Sequence, residues 1–437
     1  MSSRGPVALI GGGLAGCLLA TLLGRRGYKV TVFERRPDPR TAGPERGRSI
    51  NLALSARGLD ALDRVGLRES ALATALPMRG RMVHPVHGEP NLQLYSADGR
   101  RAINSISRSG LNLALLEAAE ATPGVRVEFG HRLTGLDLDA GILRFGDTTR
   151  TASVILACDG AYSAARRAIQ FDEGFSFSQD FLDHGYKELT IPPRDGGFAL
   201  DPGALHIWAR GDAMMIALPN VDRSFTCTLF WPKPELAALH TAGHVKDHFA
   251  RHYPDVADLM PTLADDYFAN PVGSLVTVRC HPWTAHGDAA TLALVGDAAH
   301  AIVPFYGQGA NCAFEDAIAI DELIERHGDW PTALDAYAAE RKPNTDAIAD
   351  MALANFVEMR DTVNSPLYRA RKAATHALER VLPGTYVSEY ELVSFSTVPY
   401  AEVVRRVRAQ RRVLTVGAAA LAGLGLAAIL RRNRSAP

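Results

Sequence analysis

Val7-Ala8-Leu9-Ile10-Gly11-Gly12-Gly13-Leu14-Ala15-Gly16 is the stretch that decides the fold of this 437-residue chain. Four apolar residues read as a short buried strand and run at once into a glycine-rich turn. Cys17 to Arg26 then reads as a helix, and Tyr28-Lys29-Val30-Thr31-Val32-Phe33 as a second strand ending at Glu34. Strand, Gly-x-Gly-x-x-Gly, helix and strand together form the dinucleotide fingerprint in its required context. Gly11 permits the tight turn, Gly13 lets backbone reach a pyrophosphate, and Gly16 lets the helix lie close on the strand. Glu34, eighteen residues past Gly16, is placed to take the ribose hydroxyls of an adenosine. A carboxylate there repels a 2′-phosphate, which disfavours NADP in this site and leaves FAD or NAD. A second glycine match, Gly423-x-Gly425, has no strand before it and reads as chance.

Further along, Ala290 to Val295 reads as another buried strand and Ala310 to Arg326 as a helix. Between them runs Gly296-Asp297-Ala298-Ala299-His300, then Pro304-Phe305-Tyr306-Gly307-Gln308-Gly309-Ala310-Asn311. Gly307 and Gly309 lack a Cβ, so this loop can approach a flat ligand closely. The free N–H groups at the helix start would stabilise a ring that becomes anionic when reduced. Asp297 would accept from sugar-like hydroxyls, and this second carboxylate tips the choice to FAD. His300 reads as a packed or hydrogen-bonded core histidine rather than a base. Val154-Ile155-Leu156-Ala157-Cys158-Asp159-Gly160 reads as a strand ending in Asp-Gly, with a helix starting near Ser163. Asp159 can cap that helix or order a loop near the nucleotides, or simply mark a turn.

From about Phe175 to Asn270 the character changes. Leu205–Trp208, Met214–Leu218 and Ser224–Phe230 are strand-like, which predicts an antiparallel sheet inserted into the nucleotide domain. After Lys342 the reading is helical, with Asp346 to Arg360 and Tyr368 to Val381 as segments. At this length two domains with additions are expected. The 47 Lys+Arg against 48 Asp+Glu give no basic excess that would suggest nucleic acid. Cys17, Cys158, Cys227, Cys280 and Cys312 lie far apart, which argues against a zinc site or a disulfide framework. Their spacing and the absence of a signal-peptide pattern at Met1–Pro6 point to the reducing cytoplasm. Val413 to Leu430 holds eighteen uncharged residues between arginine pairs, just enough for a helix to cross a core of roughly 30 Å. Ala419-x-x-x-Gly423 would allow close helix packing, and Arg405, Arg406, Arg408, Arg411 and Arg412 would suit anionic lipid. A membrane anchor, a helix folded back on the protein and a frayed tail all stay open for this segment.

The glycine fingerprint, the Asp-Gly element and the Gly-Asp loop occur in the order of the single-component (class A) flavin-dependent aromatic hydroxylases, which the chain resembles. Within that class it is similar to the enzymes that hydroxylate L-kynurenine. The similarity runs through Arg48-Ser49-Ile50-Asn51-Leu52-Ala53-Leu54-Ser55, Pro77-Met78-Arg79 and His184-Gly185-Tyr186-Lys187-Glu188-Leu189-Thr190-Ile191-Pro192. Residues 296–311 and Asn355-Phe356-Val357-Glu358-Met359-Arg360 carry it further, so it covers most of residues 5–400. The resemblance implies an α/β fold: a Rossmann-like FAD-binding domain, an inserted antiparallel-sheet substrate domain and C-terminal helices. The expected division gives 1–75, 100–175 and 271–345 to the FAD-binding domain, and 76–99 and 176–270 to the substrate domain. Residues 346–410 form the helical region and 411–437 the tail.

By the same resemblance, Arg81 and Tyr95 would hold the substrate carboxylate, with Asn355 and Tyr390 completing the site. Phe230, Pro304 and Phe305 would pack around the aromatic ring. Flavin contacts would come from Ala15, Glu34, Arg35, Ala53, Arg108, Leu133, Asp297, Ala310 and Asn311, beside Gly11, Gly13, Gly16, Asp159 and Gly309. The implied reaction uses FAD, NADPH as a transient co-substrate and O₂ to convert L-kynurenine to 3-hydroxy-L-kynurenine through a flavin C4a-hydroperoxide. Such a step belongs to tryptophan degradation toward NAD biosynthesis, in a monomer or homodimer; animal members also carry a C-terminal membrane anchor. Two other readings are a hydroxylase of another aromatic acid and a non-catalytic flavin-binding membrane scaffold.

Overall fold

Val7–Ile10 is apolar and buried at every position, as a strand covered on both faces must be, and it forms β1 of a parallel sheet. The computed structural model describes residues 5–42, 51–96, 98–362, 365–382 and 384–416. The glycine turn leads into α1 (Leu14–Arg25), and β2 (Val30–Glu34) returns parallel to β1 with Val7 opposite Val30. α2 (Ala56–Arg64), β3 (Gly80–Val83) and β4 (Asn91–Leu94) follow, then α3 (Arg108–Glu120) and β5 (Val125–Phe129). β6 (Val154–Ala157) and α4 (Ala164–Ile169) precede the long β7 (Ser176–Ile191). β8 (Ala204–Arg210), β9 (Ala213–Pro219) and β10 (Phe225–Pro232) form a meander, followed by α5 (Ala242–His252). β11 (Gly273–His281), β12 (Thr284–His286) and β13 (Thr291–Leu294) lead to α6 (Gly309–His327) and α7 (Trp330–Val357). α8 (Pro366–Val381) and α9 (Glu389–Phe395) come last of the named elements, before a helix over residues 400–416.

Two sheets organise these elements. The first has the order β12-β13-β6-β1-β2-β5, parallel except for the edge strand β12. α1 and α6 cover it, burying Leu18, Leu19, Leu22 and Leu23 from one and Phe314, Ile320 and Leu323 from the other. The second sheet has the order β11-β7-β10-β9-β8-β3-β4. It is antiparallel except between β3 and β8, where Arg81 stands opposite Leu205.

The second sheet is larger than its expected range. β7 is long enough to pair with both β10 and β11, so the sheet takes in residues 273–281, which the boundary at 270 gave to the nucleotide domain. Conversely Leu76–Met78 joins a small three-stranded sheet with Leu52–Leu54 and Ile103–Ile106, outside the substrate sheet. α7 also begins earlier than expected, running through Pro343 instead of starting at Asp346. A proline removes one helix donor and costs roughly 3 kcal/mol. Burial on both sides of it, by Leu334 and Tyr337 before and Ile348, Met351 and Ala352 after, offsets that cost.

Arg48-Ser49-Ile50 and residues 417–430 of the apolar segment lie outside the described residues. Among the described residues no helix is long and apolar enough to cross a membrane.

Candidate active site

The glycine turn has the geometry a dinucleotide needs. Gly11 adopts φ +107°, and a Cβ there would lie 2.4 Å from the carbonyl oxygen of Cys158. A Cβ on Gly16 would lie 2.0 Å from the Gly11 carbonyl, so only glycine lets α1 start this close to β1. Gly13 differs: a Cβ there would meet nothing within 4 Å, so this residue borders open space in which a ligand can lie. Ala15 is partly exposed at the start of α1.

Glu34 ends β2 buried, its Oε2 accepting from the Gly12 N–H at 2.8 Å. Its Oε1 accepts from the Arg36 backbone N–H at 2.8 Å and from Arg36 Nε at 3.0 Å. Burial alone would push this carboxyl up, but the Arg36 guanidinium and the two backbone donors hold it below the usual range, so it is ionised. Arg35, the arginine expected at the flavin, is exposed, and Arg36 is the one that orders Glu34. Alternation along an extended segment puts residues 34 and 36 on the same side, a signal available in the sequence.

Asp159 follows β6 and uses one oxygen as a helix cap: Oδ2 accepts from Ala164 N at 2.7 Å and Ala165 N at 3.1 Å. Its other oxygen, Oδ1, is buried without a hydrogen-bond partner, and burial raises the carboxyl. Arg108 is exposed at the start of α3, while Leu133 is buried in the core of the first sheet.

The second loop is shaped from beneath by a buried ion cluster. Asp316, fully buried on α6, accepts from the Gly296 N–H at 3.0 Å, from His300 Nε2 at 2.5 Å and from Arg341 Nε at 2.7 Å. His300 is therefore a structural histidine, as its sequence context indicated. Asp297 is exposed in the first turn of the short helix that opens there. After Pro304–Tyr306, Gly307 turns left-handed at φ +67°, and a Cβ on it would lie 2.8 Å from that of Ala53. Asn311 does not have its side chain free for a cofactor. Its Nδ2 donates to the carbonyls of Ala53 at 2.9 Å and Gly307 at 2.8 Å, and its Oδ1 accepts from Ser55 N at 3.1 Å. It holds the loop, so Gly309 and Ala310, both partly exposed, offer backbone there. Gln308, which sequence reading passed over, is buried with Nε2 lacking a partner. The open side of Gly13, the ionised Glu34 and two orphaned polar atoms, Asp159 Oδ1 and Gln308 Nε2, fit a bound FAD, and the last two are groups the polypeptide leaves unsatisfied.

A cavity of about 1310 Å³ adjoins the loop, its lining including Arg81, Tyr95, Tyr306, Asn355 and Tyr390. Arg81 is buried on β3, its guanidinium carbon 4.8 Å from the Tyr390 ring centroid and 6.0 Å from that of Tyr95. Tyr95 and Tyr390 stack at 5.0 Å, and Tyr306 stacks on Tyr390 at 5.7 Å. Burial raises the phenols of Tyr95 and Tyr306, so both keep their proton and can donate at neutral pH. Asn355 Nδ2 donates to the Phe305 carbonyl at 2.6 Å, tying α7 to the loop. Phe230 and Phe305 meet at 4.9 Å and Phe305 stacks on Phe356 at 4.1 Å, in one buried cluster with Met351. Pro304 is exposed. Tyr306, a loop residue with no sequence signal for the cavity wall, is brought there by its stack onto Tyr390, 84 residues later.

Residues 4–195 and 284–352 match a family model described as an FAD binding domain. The kynurenine 3-monooxygenase of Myxococcus xanthus is 48% identical over 404 residues, covering 90% of this chain and 86% of that protein. The protein of the same name from Salinispora arenicola is 45% identical and covers 99% of each chain. Among solved structures, the tetrameric form of 2-methyl-3-hydroxypyridine-5-carboxylic acid oxygenase superposes with a TM-score of 0.68 at 21% identity, covering 84% of this chain and 95% of that one. PqsL of P. aeruginosa in complex with 2-aminobenzoylacetate gives 0.67 at 22% identity, covering 84% and 98%. These structures share its fold.

Proposed function

The chain belongs to the kynurenine 3-monooxygenase family, and we propose from that premise that the cavity beside residues 304–311 is where L-kynurenine is hydroxylated to 3-hydroxy-L-kynurenine. The reaction consumes NADPH and O₂. The observation that carries the site reading is the buried Arg81 guanidinium set among Tyr95 and Tyr390, in a cavity whose wall includes Tyr306 of the FAD-side loop. A buried cation beside protonated phenols suits a carboxylate, and a guanidinium can fork to both of its oxygens.

FAD would be held by Gly11, Gly13, Gly16, Glu34, Asp159 and the 307–310 backbone, and would supply the two-electron chemistry that links NADPH oxidation to activation of O₂. Arg81 binds the carboxylate of the amino-acid portion, Tyr95 donates beside it, and Tyr390 covers the guanidinium. Asn355 acts through the turn it holds, fixing the Phe305 carbonyl and so the buried aromatic cluster of Phe305 with Phe230 and Phe356. The aniline nitrogen of the substrate already activates the ring carbon ortho to it, so no side-chain base is assigned. The work of these residues is orientation and exclusion of water.

The test is purification, a visible spectrum for bound flavin, and NADPH consumption with and without L-kynurenine. The expected outcome is a yellow protein whose NADPH oxidation rises with L-kynurenine as 3-hydroxy-L-kynurenine accumulates. Stimulation by another aromatic acid, such as salicylate, with none by L-kynurenine would reassign the substrate. Bound flavin with no stimulation by any of them would leave a binding protein.

A further inference from the structure

Gln308 is buried between the FAD-side loop and the C-terminal helices, and its two ends are unlike. Oε1 accepts from the Tyr400 hydroxyl at 3.0 Å and from Ser55 Oγ at 3.4 Å, whereas Nε2 has no partner. In this orientation both hydroxyl protons have an acceptor, which turning the amide over would remove. Tyr400 is itself held: it is fully buried, and the Arg57 guanidinium carbon lies 3.9 Å from its ring centroid. Arg57, on α2, donates from Nε to the Val393 carbonyl at 3.0 Å and from Nη2 to the carbonyls of Leu392 and Val398. Those carbonyls belong to α9 and the segment after it, and α9 carries Tyr390. One chain of contacts thus joins the lining residue Tyr390, through Arg57 and Tyr400, to an amide nitrogen at the start of α6.

We infer that Tyr400 is a positioning residue for oxygen transfer: it orients Gln308 so that Nε2 donates to an acceptor on the bound flavin ring. This rests on the kynurenine-hydroxylating reading of the site. Productive turnover joins L-kynurenine, O₂, NADPH and a proton into 3-hydroxy-L-kynurenine, NADP⁺ and water. Turnover without oxygen transfer joins O₂, NADPH and a proton into NADP⁺ and hydrogen peroxide. A flavin loop no longer locked to the cap shifts the balance toward the second.

The variants are Tyr400→Phe, which keeps the ring under Arg57 and removes only the donor, and Gln308→Leu. Both are expected to bind FAD fully, with a shifted visible flavin spectrum. In each, product formed per NADPH falls about fivefold, the effect of losing one ordinary hydrogen bond, and hydrogen peroxide makes up the difference. Because Tyr400 acts through Gln308, the double variant should be no worse than either single one. Unchanged product per NADPH in Tyr400→Phe, or losses that multiply in the double variant, overturns the inference. So does a Tyr400→Phe protein that loses FAD or thermal stability while Gln308→Leu stays fully coupled, since Tyr400 would then only hold the cap in place. If the unaltered protein ignores L-kynurenine, the functional reading fails. The flavin spectra of the two variants still decide the contact between Gln308 and the ring.

Discussion

Arg81 concentrates the substrate-binding argument in one side chain. It is buried at 5% exposure, so its charge is worth more to an incoming carboxylate than a surface arginine would be. Arg81→Ala is expected to weaken L-kynurenine binding about 100-fold, the scale of a charge-assisted hydrogen-bonded pair, while FAD content stays unchanged. Titration of the flavin absorbance with L-kynurenine measures it, and unaltered affinity would remove Arg81 from the role. A second residue contributes to the response to acid. On β8, His206 is buried, its Nε2 facing the Asp201 carbonyl at 2.9 Å and its Nδ1 facing His84 Nε2 at 2.9 Å. Burial pulls the His206 imidazole from the ordinary 6.5 down to about 4. The unfolded chain therefore takes up a proton here below about 6.5 that the folded protein refuses until about 4. Stability is complete above the upper value and falls as pH drops through that window, by at most ~3 kcal/mol from this group. Urea unfolding at pH 7 and pH 5 should show a smaller loss for His206→Asn than for the unaltered protein.

At the scale of elements, two glycines of one motif make opposite predictions. Gly16→Ala puts a Cβ 2.0 Å from the Gly11 carbonyl, a backbone atom that cannot give way without moving α1 off β1. The expected result is a loss of about 1–3 kcal/mol in stability together with FAD. Gly13→Ala meets nothing within 4 Å in the protein, so the variant should melt like the unaltered protein stripped of FAD, yet bind FAD poorly. Melting curves with and without added FAD separate the two. What sequence made legible here was whatever repeats locally: the fingerprint, the strands Val7–Ile10 and Val154–Ala157, and the helix start at Ser163, whose hydroxyl accepts from Arg166 N. Each rests on neighbours a few residues apart. Gln308, Arg57 and Tyr400 were invisible because their partners stand far away, 92 residues between Gln308 and Tyr400 and 336 between Arg57 and Val393. The same distance explains Asn311: its position in the loop was readable, but the Ala53 carbonyl that takes its amide is 258 residues earlier. Arg36 is the exception, readable by alternation.

On the scale of the whole molecule, the C-terminal segment is as much a part of the nucleotide unit as of the substrate site. Arg57 and Arg341 both pair with Glu315, and Arg341 also pairs with Asp316, which carries the Gly296 N–H. Two buried guanidinium groups and two carboxylates thus form one network, reaching from α2 through α6 to α7. The 392–398 carbonyls complete the donor needs of Arg57, and the Tyr400 ring covers it. A chain ending at residue 385 would keep every element of the first sheet, so by a modular view it should bind FAD and lack only substrate affinity. The network says otherwise. Removing those carbonyls leaves a guanidinium without acceptors it is buried against, and breaking one side of a buried charged cluster typically costs about 3–5 kcal/mol. That is a large share of the stability of an ordinary domain, about 5–15 kcal/mol. The shortened chain is therefore expected to be recovered mainly in the insoluble fraction or without flavin. The same truncation carrying Arg57→Met, which removes the stranded charge and keeps similar volume, should regain part of the soluble yield. Recovery of a soluble, yellow 1–385 protein with an unaltered melting temperature would show that the helical cap is an independent addition rather than the closing piece of the FAD-side core.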